Sequence, residues 1–226
     1  MLGAWFERTL LQPEPLEPFM QATAPGPAAF DAWAEQDLEM RWSYASPNRV
    51  IVDDFEAGNA PAINSLGGAN TFTDWFLSEV CFELDCDPYF RHVKNVARLL
   101  WQLPADPVAT FELLDYDAST HEALTMRVVS RRSSLNTGLE ENDFFVRLRD
   151  VDGVEAQLRI SDAKTLHHLY PHPDPLEVLE TFSLPLAWFT EEEAALDLSA
   201  LAALEFSMAA TGTDGSVIVS DITFTD

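Results

Sequence analysis

The feature that most constrains this chain is a hairpin written into residues 144 to 160. Phe144, Val146 and Leu148 occupy every second position, Asp150-Val-Asp-Gly153 interrupts, and Val154, Ala156, Leu158 and Ile160 resume the alternation. A period of two puts successive side chains on opposite sides of a strand, so each run has one apolar face to bury. Gly153 supplies the positive φ that a bulged hairpin loop needs. The same four residues imitate the start of a calcium-binding loop, but the later bidentate acid is missing and the flanking strands require a turn here.

Similar rows recur along the chain. Ala97, Leu99, Trp101 and Leu103 form one; Leu124, Met126 and Val128 form another, alternating with Thr125, Arg127 and Val129. Leu204, Phe206 and Met208 lead through Gly212-Thr-Asp-Gly215 into a final strand over residues 217 to 224, and near the front Val50 and Val52 alternate against Ile51 and Phe55. Many short strands with little helix between them predict an all-β fold, an antiparallel jelly-roll β-sandwich, over residues 48 to 226. An apolar content of 47% in 226 residues is enough for one large core. Residues 1 to 47 read differently. Trp5, Phe6, Leu10 and Leu11 follow a short helical pattern, Pro13, Pro15, Pro18, Pro25 and Pro27 break it, and a second short helix fits residues 28 to 39. This is an N-terminal helical, Pro-rich extension or linker.

Thirteen Lys and Arg face 38 Asp and Glu, a net charge of −25. Such a chain repels phosphate backbones and anionic lipid heads within a Debye length of about 8 Å, so neither nucleic acid nor a membrane is an expected partner. Only Lys94 and Lys164 are lysines; an acidic surface adapted to concentrated salt and a genome that favours Arg codons both account for that. No window approaches the roughly 18 apolar residues of a membrane helix. The N-terminus lacks the basic-then-apolar order of a signal peptide, so export would need a signal outside this sequence. Cys81 and Cys86 offer two thiolates at most; free thiols, one local disulfide, and metal or redox chemistry stay open.

No catalytic motif is found. Asn64-Ser-Leu-Gly-Gly68 lacks the leading glycine of a nucleophile elbow, which removes Ser65 as a nucleophile, and its Gly-Gly reads as a bend or a close backbone approach. There is no phosphate-cradling glycine loop. His167, His168 and His172 could ligate zinc or copper, but Pro171, Pro173 and Pro175 make their segment a rigid surface loop. Arg127, Arg147, Arg149 and Arg159 all lie opposite the apolar rows on three consecutive strands. If those strands are neighbours, the guanidinium groups form a platform for sugar hydroxyls or carboxylates; alternatively, cross-strand acids such as Glu155 neutralise them. Trp75, Tyr170 and Trp188, near turn-like segments, are the candidate stacking rings, whereas Trp101 sits in a wholly apolar row.

Two passages bear a resemblance to a family. Val50-Ile-Val-Asp-Asp-Phe-Glu56 with Asn64-Ser-Leu-Gly-Gly68 resembles the opening of galactose-binding-like jelly rolls of the carbohydrate-binding-module type, and Ser216-Val-Ile-Val-Ser-Asp-Ile-Thr-Phe224 resembles their closing strand. The chain is similar to C-terminal accessory domains of large bacterial hydrolases, including α/β-hydrolase-type esterases. The resemblance implies a non-catalytic carbohydrate-binding-like accessory module of a larger secreted hydrolase, extracellular or periplasmic, with a polysaccharide or a neighbouring hydrolase domain as partner. It also implies adjacent first and last strands and a structural Ca²⁺ held by Asp54, Glu56 and Asp221 with backbone carbonyls, although Ser220 stands where many relatives have a second Asp. Simple turn-capping by these acids is the other reading. Two further functions are open: a structural or docking β-sandwich with no sugar site, and a glycan-active hydrolase, which would need paired carboxylates about 5 to 9.5 Å apart.

Overall fold

The computed structural model describes residues 48–56, 62–82, 95–102, 104–130, 142–166, 179–208 and 214–226. The readings made above at residues 1 to 47, Cys86, Leu103, His167, His168, Tyr170, His172 and Gly212 lie outside the described residues.

Among the described residues, eleven strands form two antiparallel sheets. Sheet 1 runs β3 (Leu77–Phe82), β4 (Asn95–Trp101), β11 (Gly215–Thr225), β6 (Ala123–Ser130), β9 (Glu180–Pro185), with β1 (Arg49–Asp53) also paired to β11. Sheet 2 runs β2 (Asn70–Thr73), β5 (Val108–Tyr116), β10 (Leu201–Ser207), β7 (Phe145–Asp150), β8 (Glu155–Arg159). This is the antiparallel sandwich that the alternating rows predict.

The closing strand organises sheet 1. Residues 215 to 219 of β11 pair with β4, and residues 222 to 225 pair with β1, while β6 follows the other edge. First and last strands are therefore neighbours. The register slips between Ser220 and Thr223, and there Asp221 takes a left-handed conformation, φ 48°. The bulge marks the point where β11 changes partner from β4 to β1.

Between the sheets, Leu99, Trp101, Leu124, Met126, Val128 and Phe224 meet Phe111, Phe144, Val146, Leu148, Leu204 and Phe206, each at most 1% exposed. Burial of each large side chain contributes roughly 1.5–3 kcal/mol. Phe111 and Phe206 lie edge-to-face across a centroid distance of 5.3 Å, the geometry that ring quadrupoles favour.

The predicted hairpin is β7–β8, in the register Val146 opposite Leu158 and Arg149 opposite Glu155, with Gly153 at φ 83°. Its anchor is Asp150, whose carboxylate accepts the N–H groups of Asp152 (3.0 Å), Val154 (2.9 Å) and, from the segment before β10, Asp197 (3.1 Å). Burial alone would push this carboxyl up, but the backbone donors together hold it below the ordinary carboxylate range. The alternation does not extend β8 as far as it suggests: Ile160 is buried but opens a helical turn, α1 (Ile160–Ala163). A second short helix, α2 (Leu186–Glu192), follows β9.

Gly68 shows why its position admits no side chain. A Cβ there would lie 2.1 Å from the Glu112 carbonyl oxygen, so the segment before β2 lies directly on β5. That is the close approach expected of the Gly-Gly pair.

Candidate functional site

The outer face of sheet 2 is built by the positions of β5, β10, β7 and β8 that alternate away from the core. On β10 these are Ala203, Glu205 and Ser207; opposite them stand Arg149, Arg147 and Phe145 on β7, and Glu112, Thr110 and Val108 on β5. One strand further out, Glu155, Gln157 and Arg159 of β8 face Arg149, Arg147 and Phe145. Four strands at about 4.8 Å spacing make this part of the face roughly 14 Å across.

Glu205 is its centre. Only 7% exposed, it receives Arg147 Nη1 at 3.1 Å and lies 3.3 Å from Arg149 Nη2. One carboxylate thus fixes two guanidinium groups from a neighbouring strand, a charge-assisted arrangement that limits their rotamers. Arg147 also approaches Glu155 (3.6 Å) and Gln157 (3.5 Å). Arg159 pairs with Asp143 at 3.5 Å and lies over the Phe145 ring, 5.2 Å from its centroid. The outer faces of Arg149 and Arg159 stay open to solvent, with side chains 38% and 52% exposed. The surface therefore offers donors and acceptors in fixed positions, with no net excess of positive charge.

The expected four-arginine platform is divided between the sheets. Arg147, Arg149 and Arg159 share sheet 2, but Arg127 lies on β6 in sheet 1. Consecutive strands β6 and β7 belong to different sheets, so adjacency in sequence does not give adjacency in space. Arg127 instead pairs with Asp221 at 2.8 Å, in a shallow pocket lined also by Arg49, Thr125, Thr181 and Thr223. The cross-strand neutralisation foreseen through Glu155 is present, with Glu205 as the stronger partner.

Of the three candidate stacking rings, Trp75 and Trp188 lie among the described residues. Trp75 is half-buried against the core and edge-on to Trp101, at 6.3 Å and 85°. Trp188 lies on α2, likewise packed against the core. Both rings keep part of their surface exposed. Trp101, fully buried, is the core residue its row predicts.

The three acids that the resemblance names as calcium ligands have other partners here. Asp54 accepts the Glu56 N–H (3.1 Å) and the Ser65 hydroxyl (3.4 Å), Glu56 accepts the Asn95 N–H (2.9 Å), and Asp221 faces Arg127. Among the described residues, no three His, Cys, Asp or Glu side chains gather as metal ligands.

Two acids with structural weight escaped the sequence reading. Glu205 sits inside the apolar row of β10, and its signal was its outward parity opposite Arg147. Asp53 is the buried member of Asp53-Asp54: 2% exposed, it accepts the Phe55 N–H (2.8 Å) and the Asn70 amide (2.6 Å). Burial pushes its pKa up in spite of those two bonds, and the neighbouring Asp54 charge adds to the rise.

Known structures share this architecture. A family 30 carbohydrate-binding module aligns with a TM-score of 0.52 and 18% identity, over 78% of this chain and 87% of its own. The family 11 carbohydrate-binding module of Clostridium thermocellum, solved in complex with a β-1,3-1,4-mixed-linked tetrasaccharide, aligns with a TM-score of 0.51 and 13% identity, over 80% of this chain and 97% of its own. The family 11 module of the cellulosomal cellulase Lic26A-Cel5E of Clostridium thermocellum gives a TM-score of 0.50 and 14% identity, over 80% of this chain and 96% of its own. No family model matches the sequence. No curated protein matches it either. The chain has the jelly-roll fold of carbohydrate-binding modules.

Proposed function

We propose that this chain is a non-catalytic carbohydrate-binding module whose ligand lies across the outer face of sheet 2. The observation that carries this reading is the Glu205 centre. A nearly buried carboxylate holds Arg147 and Arg149 in place, with Gln157, Thr110 and the Phe145 ring beside them. Fixed forks of donors and acceptors suit sugar hydroxyls, and a partly open ring suits the C–H face of a sugar. The fold shared with carbohydrate-binding modules supports the same reading.

The ligand is a neutral glycan. Each guanidinium of the face already meets a carboxylate, and a chain of net charge −25 repels polyanions. As an accessory module it is joined to a secreted hydrolase, and the intact gene checks that: a hydrolase domain in the same reading frame is the expected finding.

Affinity electrophoresis on a panel of mixed-linked β-glucan, xylan, galactan and an acidic uronan tests the binding. The wild type is retarded by at least one neutral polysaccharide and not by the uronan. Arg149→Ala weakens that retardation about tenfold, the worth of one charge-assisted hydrogen bond, whereas Arg127→Ala on the other sheet leaves it unchanged. Silence of the wild type across the panel would instead favour a docking sandwich.

A further inference from the structure

At one end of this face, β5 departs from regular pairing. Glu112 pairs with Ala203 and Tyr116 with Leu201, so Leu113, Leu114 and Asp115 stand opposite the single residue Ala202. Leu113 goes into the core at 2% exposure. Leu114 and Asp115 both turn left-handed, with φ of 55° and 60°. Two consecutive non-glycine residues in that region are disfavoured by the clash of Cβ with the following carbonyl, and leucine has no side-chain hydrogen bond to offset it. Core packing does not repay the cost, because the turn leaves Leu114 59% exposed.

A second exposed apolar side chain flanks the same end. Leu201 pairs on its other side with Asp150, and the next residue, Val151, donates its N–H to Ala200 and is 50% exposed. Leu114 and Val151 therefore stand on either side of the start of β10, about two strand spacings or ~10 Å apart. Between them and Glu205 lies the row of Glu112, Ala203 and Arg149, in which the two polar side chains flank a buried alanine.

We infer that Leu114 and Val151 are the two lips of a subsite at this end of the face, taking the apolar C–H side of a sugar unit whose hydroxyls reach Arg149 and Glu112. Strain kept at an exposed position, where it gains nothing in packing, is the pattern of a functional segment. This inference rests on the proposed glycan-binding role and deepens it by assigning a specificity element outside the arginine cluster.

Leu114→Asn keeps a residue that tolerates the left-handed region and removes the apolar lip; Val151→Thr removes the other lip with nearly the same shape. Both are titrated calorimetrically with each neutral polysaccharide of the panel that retards the wild type, alongside melting midpoints. The expected result is a five- to tenfold loss of affinity for each variant, about the worth of one small apolar contact, with the Leu114→Asn midpoint at or above that of the wild type. Unchanged affinity in both variants overturns the inference and leaves the bulge as a sheet irregularity. If Leu114→Asn lowers both affinity and midpoint, Val151→Thr decides: full affinity there overturns the subsite, and a loss sustains it. A wild type that binds nothing on the panel removes the glycan-binding role itself, and the subsite with it, a failure distinct from intact binding in the variants.

Discussion

On the outside of sheet 1, Val96, Val129, Leu179 and Ile218 form an apolar cluster at most 1% exposed, whereas the central outward residue of sheet 2 is Glu205, set between arginines. Both sheets bury one face in the shared core. They differ in what their second face demands. The run Val217-Ile-Val219 in β11 is apolar at every position, as strands buried on both sides are. On β7, apolar Val146 and Leu148 alternate with Phe145, Arg147 and Arg149, and that strand keeps one side for solvent. The outer side of sheet 1 is closed where this apolar cluster surrounds Ile218, beside the polar Arg127–Asp221 pocket, whereas that of sheet 2 keeps Arg149 and Arg159 open to solvent, and the proposed ligand site lies there.

The largest effect that could break this contrast lies on the sealed side. Ile218→Ala should cost about 2–5 kcal/mol in denaturant unfolding, the loss of a buried branched side chain plus the cavity it leaves. Gln157→Ala, outward on sheet 2 and exposed, should stay within about 0.5 kcal/mol. Equal effects at the two positions would mean that the outer faces do not differ in burial.

Next in size is an opposition between two acids, one in each sheet. Asp53 on β1 has its folded pKa raised above 3.8, so its contribution is greatest below that value and is lost as pH climbs through the folded pKa. Asp150 on β7 has its folded pKa lowered, so its contribution is present above 3.8 and is lost as pH falls through the folded pKa. Stability against pH should therefore decline less on the rising side in Asp53→Asn, and less on acidification in Asp150→Asn. The second variant should also be weaker at neutral pH by about 1–3 kcal/mol, since an amide is a poorer acceptor for three N–H groups. Identical profiles for the two variants would contradict the opposite burdens assigned to them.

How much of this was legible follows the same divide. The β7–β8 hairpin was readable because its information is local: alternation, a turn acid and Gly153 lie within seventeen residues. The placement of Arg127 was not, because alternation says which side of a strand a residue takes and nothing about which sheet the strand joins. Val129 shares its side of the strand with Thr125 and Arg127, yet it follows buried Val128 directly, and two adjacent apolar residues are the sign of burial on both faces. Glu205 was hidden for a related reason: an acid between Leu204 and Phe206 gains its meaning only when Arg147 is known to stand across from it.

The smallest expected effect concerns calcium. Asp221 faces Arg127, and Asp54 and Glu56 accept backbone N–H groups, so melting midpoints in calcium and in chelator decide between a structural Ca²⁺ at these three acids and simple turn-capping. A midpoint raised by calcium assigns Asp54, Glu56 and Asp221 as ligands, and an unchanged midpoint leaves them as turn caps and the partner of Arg127.

The most direct test of the available face is a titration of ¹⁵N-labelled protein with the neutral polysaccharide that retards it most, followed by amide chemical shifts. Perturbed amides confined to β5, β7, β8 and β10, strongest around Glu205 and Arg149, are the predicted result. Perturbations clustered on β4, β6 and β11, with the Glu205 region silent, would contradict it.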